Sequence, residues 1–411
     1  MIVADTPKIR FKGFEDAWEQ RKFSDFTWAS GKRNKEDLDL EPYAITNEHG
    51  FIPQNKAHDE FGYMKDTDRK AYNIVTPNSF AYNPARINVG SIGYYEGTEN
   101  VIVSSLYEVF QTVDYVDDRF LWHWFKSAEF PKWIERLQEG SVRLYFYYDK
   151  LCECQILMPS VAEQKKIATS LDQLDHLITL HQHKCDETKE LKRYMLQKMF
   201  PRNGKKNPEI RFAGFTDDWE QRKLGEMSYS FEYGLNAAST TYDGENRYIR
   251  ITDIDDETRL FSTTDLTSPD IDLKLANNYR LQEGDIVFTR TGASVGKTYI
   301  YKSFDGIMYY AGFLIRARIR PEYSADFVFQ NTLTEQYRSF VAITSQRSGQ
   351  PGINAQEYSS FVLSVPGYKE QEQIGAFFRH LDHLIPLHQR KCDELKEVKK
   401  FMLQSMFPQK G

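Results

Sequence analysis

An internal repeat constrains this chain more than any other feature of its sequence. Residues 7–22 read PKIRFKGFEDAWEQRK, and residues 208–223 read PEIRFAGFTDDWEQRK. A longer pair follows, because residues 163–201 match residues 370–408 along their whole length. The first pair is offset by 208 − 7 = 201 residues and the second by 370 − 163 = 207, so about six residues are inserted in between. Each half therefore has a constant frame around a centre that has diverged.

Composition places the chain among ordinary globular proteins. Its 411 residues predict two or three domains, and 40% hydrophobic with 14% aromatic content is enough for packed cores. No stretch approaches the ~18–20 apolar residues that a membrane helix needs, so we expect a soluble, unexported, cytoplasmic protein. The four cysteines, Cys152, Cys154, Cys185 and Cys392, are too few for a secreted scaffold of this size and are expected to be reduced thiols.

The longer repeated segment carries the pattern of a coiled-coil helix. Steps of four and three residues alternate between its apolar or small residues, which are Ile167, Leu171, Leu174, Ile178, His181 and Cys185. The second copy repeats this register, and both copies end at Met-Phe-Pro, where proline stops a helix. A helix of about 37 residues would be about 55 Å long. Its outer face is too polar for burial alone, so its own copy is the expected partner.

The order of the segments predicts the architecture. In both halves the diverged centre precedes the helix, so a symmetric pairing places the two helices antiparallel about a pseudo-twofold axis. The centres are predicted to be mixed α/β (α+β), with strands at 80–82, 101–103, 106–110, 285–289 and 313–319 and helices at 120–137 and 327–340. The predicted parts are a first domain at 1–160, a first helix at 161–200, a linker at 201–208, a second domain at 209–366 and a second helix at 367–408.

Two loops of the second half have the residue types of a DNA-binding surface. The segment GASVGKT at 292–298 resembles a phosphate loop but has three residues between its glycines where that motif needs four. As a basic hairpin loop it would instead offer Arg290, Thr291, Ser294 and Lys297 to phosphates and base edges. The second loop offers Arg347, Ser348, Gln350 and Asn354, of which the amides can pair with adenine. A plain surface turn is the alternative for each loop.

The first half has diverged counterparts of both loops. These counterparts supply the candidate DNA contacts Tyr82, Asn83, Arg86, Asn88, Ser91, Arg143 and Tyr145. The net charge of −6 argues mildly against nucleic acid, but a local basic patch decides binding, not the sum. Two clusters at equivalent places in both halves favour a DNA-binding function more than either cluster alone.

Two catalytic or metal-binding alternatives have weaker support. His181, Cys185, His388 and Cys392 could meet and bind zinc tetrahedrally, but they also occupy seam positions, where cysteine acts as a small apolar residue. We therefore assign no metal. Asp270, Asp272 and Lys274 have the residue types of a restriction-nuclease site without its spacing. We interpret the chain as non-catalytic.

Taken together, these residues resemble the specificity (S) subunit of a type I restriction–modification enzyme. The resemblance covers almost the whole chain. It rests on the duplicated segment at 7–22 and 208–223, which we call the lead-in, on the duplicated helix, and on the segments GDIVFTRTG at 284–292 and GQPGIN at 349–354. His181 and Cys185 with their copies depart from the leucine-like seam that is usual in that family. The resemblance implies two target-recognition domains, each reading one part of a bipartite asymmetric DNA site, and two helices that set the spacer.

The resemblance also implies partners. Two methylation (M) subunits would dock on the duplicated frame, and restriction (R) subunits would complete the complex. S-adenosylmethionine, ATP and Mg²⁺ would belong to those partners, with no cofactor in this chain. A stand-alone metal-dependent DNA endonuclease that uses Asp270, Asp272 and Lys274 is one alternative, and a coiled-coil adaptor without a DNA role is the other.

Overall fold

A computed structural model describes residues 6–47, 50–57, 69–140, 144–202, 204–347 and 349–408. The chain divides into two compact units. The first comprises Met1–Leu180 with Lys391–Gly411, and the second comprises His181–Arg390. Both units mix strands and helices, as predicted. No helix in the described part of the chain is long and apolar enough to span a membrane.

The first unit is built on a four-stranded antiparallel sheet. Its strands are β1 Glu19–Lys22, β2 Thr27–Ala29, β3 Lys32–Arg33, β4 Tyr43–Thr46, β5 Gly50–Pro53, β6 Asn73–Val75, β7 Ser79–Tyr82, β8 Ile92–Tyr95, β9 Val101–Val103, β10 Glu108–Thr112 and β11 Gln155–Met158. Its helices are α1 Phe23–Phe26, α2 Gln54–Ala57, α3 Asp118–Phe125, α4 Glu129–Leu137 and α5 Tyr148–Glu153, and the long helix α6 Val161–Lys198 begins there. The main sheet has the order β2-β10-β7-β8.

The second unit repeats this plan. Its strands are β12 Glu220–Lys223, β13 Ser228–Tyr233, β14 Ser239–Thr241, β15 Asn246–Ile249, β16 Thr267–Pro269, β17 Ile286–Thr289, β18 Thr298–Ile300, β19 Ile307–Tyr310, β20 Leu314–Ile319 and β21 Val362–Val365. Its helices are α7 Ala325–Asn331, α8 Glu335–Thr344, α9 Ala355–Ser359 and the start of α10 Tyr368–Ser405. The main sheet, β13-β20-β17-β18, corresponds to that of the first unit.

Each predicted aromatic-rich helix is two helices instead of one. The run at 120–137 divides into α3 and α4, and the run at 327–340 divides into α7 and α8. Hydroxyl side chains lie at both breaks. The Thr334 side chain caps α8 by accepting a hydrogen bond from the Tyr337 amide, and the Ser127 hydroxyl accepts one from the Glu129 amide.

The repeated lead-in docks on the start of each long helix. Arg10 forms a two-point ion pair with Glu163, and Arg211 forms the same pair with Glu370, with closest distances of 2.7 Å. Both carboxylates are almost completely buried. Loss of one partner would leave a buried charge uncompensated, a defect that costs about 3–5 kcal/mol. The duplicated arginine in the lead-in thus has a structural reason.

The long helices run antiparallel within each unit, as predicted. In the first unit Lys399 on α10 pairs with Asp175 on α6, and in the second Lys192 on α6 pairs with Asp382 on α10 at 2.6 Å. The residues that directly follow each long helix enter the core of the domain that belongs to the other half. Phe407 packs on Phe120 in the first unit, at 5.4 Å between ring centroids. Met199 and Phe200 likewise lie in the core of the second unit.

Candidate nucleic-acid interface

The two predicted loops of the second domain lie side by side. The first, residues 290–297, joins β17 to β18, and the second, residues 345–354, joins α8 to α9. The Gly292 amide donates to the Pro351 carbonyl at 3.0 Å, and the Ile353 amide donates to the Arg290 carbonyl at 2.9 Å. The structure thus brings together two clusters that were predicted separately. We call them the second loop pair.

Buried tyrosines and a glycine hold this loop pair in place. The Tyr358 hydroxyl donates to the Thr289 carbonyl at 2.6 Å and accepts from the Gly296 amide at 3.1 Å. The Tyr337 hydroxyl donates to the Gly296 carbonyl at 3.1 Å. Gly296 itself has φ +85°, and a Cβ there would lie 2.6 Å from a methyl group of Val341. This position therefore needs glycine for both conformation and space.

Arg290 is the predicted residue that is best placed to bind a ligand. Its guanidinium lies over the Tyr233 ring, 4.8 Å from the centroid. Within the described residues it makes no hydrogen bond or ion pair. The stacking restricts its orientation but leaves its donors free, as recognition of a guanine edge requires.

Sequence reasoning missed the aromatic residues beside Arg290. Tyr233 and Tyr229 are exposed on β13, an edge strand of the main sheet, and Arg320 stacks over Tyr229 at 5.1 Å. With Asn354 and Gln356, these tyrosines line a shallow groove of about 670 Å³. The available signal was the alternation of aromatic and polar residues in SYSFEY, 228–233, which is typical of a strand. In the structure Phe231 packs on the core, and Tyr229 lies at a register shift of β13.

The side chains of Arg347 and Asn354 form bonds inside the loop pair. Arg347 pairs with Glu357 and donates to the carbonyls of Thr344 and Gln346 at 2.9 Å. The Asn354 side chain accepts from the Glu357 amide at 2.9 Å, and the Glu357 carboxylate accepts from the Asn354 amide, so the two form a capping box. Both residues shape the loop. Gln350 is exposed, Thr291 and Ser294 are half-buried, and Ser348 lies outside the described residues.

Three of the predicted DNA contacts, Tyr82, Ser91 and Lys297, have buried side chains and do not lie on the surface. Tyr82 is fully buried and packs against Phe110. The Ser91 hydroxyl donates to the Ile45 carbonyl at 3.1 Å. The Lys297 ammonium donates to the Ile254 carbonyl at 2.9 Å and pairs with Asp256 at 2.6 Å. The Ser91 and Lys297 groups bond to partners inside the protein, and the Tyr82 hydroxyl is buried without a hydrogen-bond partner among the described residues.

The first domain has an equivalent loop pair. The Phe146 amide donates to the Pro84 carbonyl at 3.0 Å, which matches the bond from Ile353 to Arg290. Arg86 and Asn88 are exposed, and the Asn83 side chain accepts from the Ala85 amide at 3.0 Å.

An aromatic pair lies on the segment before α5, which forms the other half of this first loop pair. Tyr145 stacks on Tyr147, a residue that the sequence did not indicate, at 5.5 Å with nearly parallel rings. Tyr147 is 46% exposed. Arg143 lies outside the described residues.

Neither alternative chemistry is supported by the described geometry. The Asp272 carboxylate accepts from the Lys274 amide at 3.0 Å and so shapes a short turn. The group of metal-binding residue types that lies close enough to share an ion in the described chain is His123, Asp172 and Asp175, and it includes neither the proposed nuclease residues nor the seam histidines and cysteines. His181 and His388 contact each other through Nδ1 at 3.1 Å.

Comparisons with known proteins agree with one another. The family model described as "Type I restriction modification DNA specificity domain" matches residues 16–190 and again residues 216–397. The type I restriction enzyme MjaVIII specificity subunit of Methanocaldococcus jannaschii is 21% identical over 397 residues, which are 93% of this chain and 90% of that protein. The StySPI specificity subunit of Salmonella potsdam is 22% identical over 276 residues, 63% of this chain and 57% of that protein.

A solved structure shares the fold. The crystal structure of the S subunit of a type I restriction–modification system from M. genitalium superposes with a TM-score of 0.65. The alignment covers 99% of this chain and 100% of that one, at 16% sequence identity. The chain therefore shares the fold of that protein.

Proposed function

This chain belongs to the family of type I restriction–modification DNA specificity subunits, and we propose that each of its domains reads a different part of one asymmetric DNA site. Its role is DNA recognition, and catalysis lies in partner subunits. The observation that carries the proposal is that both domains have an equivalent loop pair, but the exposed side chains of the two loop pairs differ. Arg290 stacked on Tyr233 occupies one, while Arg86, Asn88 and Tyr145 occupy the other.

The second loop pair suits a guanine-containing half-site. Arginine can donate two parallel hydrogen bonds to O6 and N7 of guanine, a contact worth about 1–3 kcal/mol of discrimination. The Tyr233 ring orients the guanidinium before binding, so less side-chain entropy is lost. Arg320 beside Tyr229 is suited to the flanking phosphates, which position the protein without reading sequence.

Arg290→Ala tests this assignment in the complex assembled with the methylation subunits. We expect binding to the intact DNA site to weaken by about 5- to 150-fold, the equivalent of about 1–3 kcal/mol. DNA already mutated in the second half-site should show little further loss, whereas DNA mutated in the first half-site should show the full loss. Arg338→Ala is the matched control, because Arg338 is exposed and, among the described residues, forms its ion pair with Glu335 of the same helix. Equal losses on both mutated DNAs would contradict the assignment.

The partners that we propose are two methylation subunits, with restriction subunits added in the full complex. Both long helices expose apolar residues at equivalent positions, namely Leu180 and Leu387, Leu191 and Val398, and Tyr194 and Phe401, each between 38% and 57% exposed. Spacings of eleven and fourteen residues from Leu180 are close to three and four turns, so each set follows one face of its helix. A surface that occurs twice fits two copies of one partner.

Substitution on each helix tests the docking surface. Tyr194→Glu and Phe401→Glu should each reduce the number of bound methylation subunits from two to one, and the double variant should bind none. Light scattering on the purified complexes gives the stoichiometry. Phe304→Glu is the control, because Phe304 is 81% exposed and lies on neither helix. Retention of both subunits by the double variant would refute this surface.

We assign S-adenosylmethionine, ATP and Mg²⁺ to the partner subunits. The cytoplasm is the compartment that we propose, because the DNA to be read is located there.

A further inference from the structure

An ion pair between a domain and its long helix occurs at equivalent positions in both units, but with reversed charges. In the first unit, Arg119 in the first turn of α3 donates to the Asp172 carboxylate on α6 at 2.6 Å. In the second, Asp326 in the first turn of α7 accepts from Arg379 on α10. The offset is 207 residues both from Arg119 to Asp326 and from Asp172 to Arg379, which is the offset of the helical repeat.

The contact between the two long helices does not show this reversal. Lys399 pairs with Asp175 in the first unit, and Lys192 pairs with Asp382 in the second. Here too the equivalent residues are 207 positions apart, yet lysine matches lysine and aspartate matches aspartate. The ion pair between the two helices therefore has its charges in the same places in both halves. The ion pair between a domain and its helix has its charges exchanged.

In each unit the neighbouring side chains stabilise the charges of the ion pair as they are placed there. In the first unit Asp172 also accepts from the His123 imidazole at 2.7 Å, and Arg119 also pairs with Glu96 at 2.8 Å. Burial raises the pKa of Asp172, but the hydrogen bonds from His123 and Arg119 outweigh burial and lower this pKa to about 2. The carboxylate is therefore charged at neutral pH.

The second unit surrounds its acidic partner with cations. Asp326 also pairs with Lys302 at 2.7 Å, and its side chain is only 14% exposed. The counterpart of His123 is Gln330, which donates to Asp382 at 2.7 Å instead of to the residue at the Asp172 position. Reversal of one partner alone would thus place like charges in contact, at sites where Arg119 and Asp172 are about 30% exposed and Arg379 is 58% exposed.

We propose that this reversed ion pair determines which recognition domain each long helix accepts. The start of α6 accepts a domain whose first-turn residue is basic, and the start of α10 accepts one whose residue is acidic. A second domain on α6 would place Asp326 against Asp172, and a first domain on α10 would place Arg119 against Arg379. Selection by repulsion of the wrong partner is a known source of specificity. This role concerns domain docking and is independent of DNA binding.

A transplanted chain gives the sharpest test. Residues 208–367 replace residues 7–160, so that a second-type domain precedes α6 and its Asp326 faces Asp172. In this full-length chimera Asp172→Arg should raise the unfolding midpoint by about 2–4 °C. The same substitution in the natural chain should lower the midpoint by at least as much, because it faces Arg119 and loses His123.

The neighbouring aspartate supplies the matched control. Asp175 contacts Lys399 and not the domain's first-turn residue, so Asp175→Arg should lower the midpoint in both chains. A change of the same sign for Asp172→Arg in both chains, or no change in the chimera, would overturn the proposal.

A second measurement needs no transplant. In the natural chain Arg379→Asp should lower the unfolding midpoint by about 2–4 °C, because it creates a contact between two carboxylates. In a chain that carries Asp326→Asn the same substitution should have less than half of that effect. Equal losses in the two backgrounds would show that the contact carries no selectivity.

Discussion

The two loop pairs have equivalent backbone hydrogen bonds but differ in the buried side chains that pack beneath them. In the second domain the hydroxyls of Tyr358 and Tyr337 bond to the loop at Thr289 and Gly296. The first domain has Leu151 and Phe130 at the equivalent positions, both buried and both without a hydroxyl. One frame thus supports a loop held by side-chain hydrogen bonds in one half and by apolar packing in the other.

That difference shows how one backbone arrangement can carry two different DNA-recognition surfaces. The bond from Ile353 to Arg290 and its match from Phe146 to Pro84 join backbone groups, which do not depend on side-chain identity. The exposed side chains can therefore change while the loops keep their place. Divergence is expected at the surface, and repetition is expected at the lead-in and the helices, where buried ion pairs restrict the sequence.

The largest effect is expected from lengthening both long helices while both recognition domains stay intact. Four residues inserted at Thr179 and four at its equivalent, Pro386, add about one turn, or about 6 Å, to each helix. The recognised site should keep both half-sites and gain about two base pairs of unread spacer. Sequencing of methylated DNA would show the new spacer. An unchanged gap would mean that the helices do not set the distance.

Next in size is the effect of a methyl group in the second loop pair. Gly296→Ala places a Cβ against Val341 at a positive φ, so we expect a loss of about 2–4 kcal/mol in the stability of the second unit. Chemical denaturation measures the loss, and binding to the second half-site should weaken with it. Gly349→Ala is the control, because a Cβ there meets nothing within 4 Å. Equal stabilities of the two variants would contradict the proposed constraint.

Removal of one hydroxyl makes the second domain more like the first. Tyr358→Phe leaves the Thr289 carbonyl and the Gly296 amide each without this partner and should cost about 1–3 kcal/mol. Tyr233→Phe removes a hydroxyl that bonds to an amide near the surface and should cost less than about 1 kcal/mol. Both free energies of unfolding come from denaturant titration. If Tyr358→Phe cost no more than the control, the hydroxyl would not be what holds the loop.

The smallest effect concerns a histidine that the second half replaces by glutamine. Burial lowers the pKa of His123, although its hydrogen bond to Asp172 opposes this. The folded state therefore binds fewer protons than the unfolded state, so stability is complete above about pH 6.5 and is lost as pH falls below it. His123→Gln should flatten the fall in unfolding midpoint between about pH 7 and about pH 5 by about 2 °C. An unchanged slope would exclude His123 as the titrating group.

The sequence predicted the frame well because its signals are local or repeated. Heptad spacing indicates a helix from neighbouring residues alone, and the duplication indicates which helix is its partner. Val161–Lys198 and Tyr368–Ser405 follow from those two signals. The strand at Ser79–Tyr82 was also predicted from local residues, because aromatic Phe80 and Tyr82 are typical of strands.

The site was harder to predict because its geometry is long-range. Arg290 and Pro351 were each selected as loop residues, but the bonds between their loops join segments about sixty residues apart. Tyr82 and Lys297 were selected for their polar groups, yet both side chains are buried, and a single sequence does not show which polar side chains fold into the interior. Tyr233 was missed because its strand meets the loops only in the folded chain.

The central claim is that two unlike domains read two unlike half-sites on a common frame. Single-molecule sequencing of methylated DNA, from cells that express this chain with its methylation subunit, tests it most directly. The account predicts one bipartite motif with two different halves and an unread gap, and Arg290→Ala should relax the bases of one half alone. A palindromic or continuous motif, or relaxation of both halves by Arg290→Ala, would contradict it.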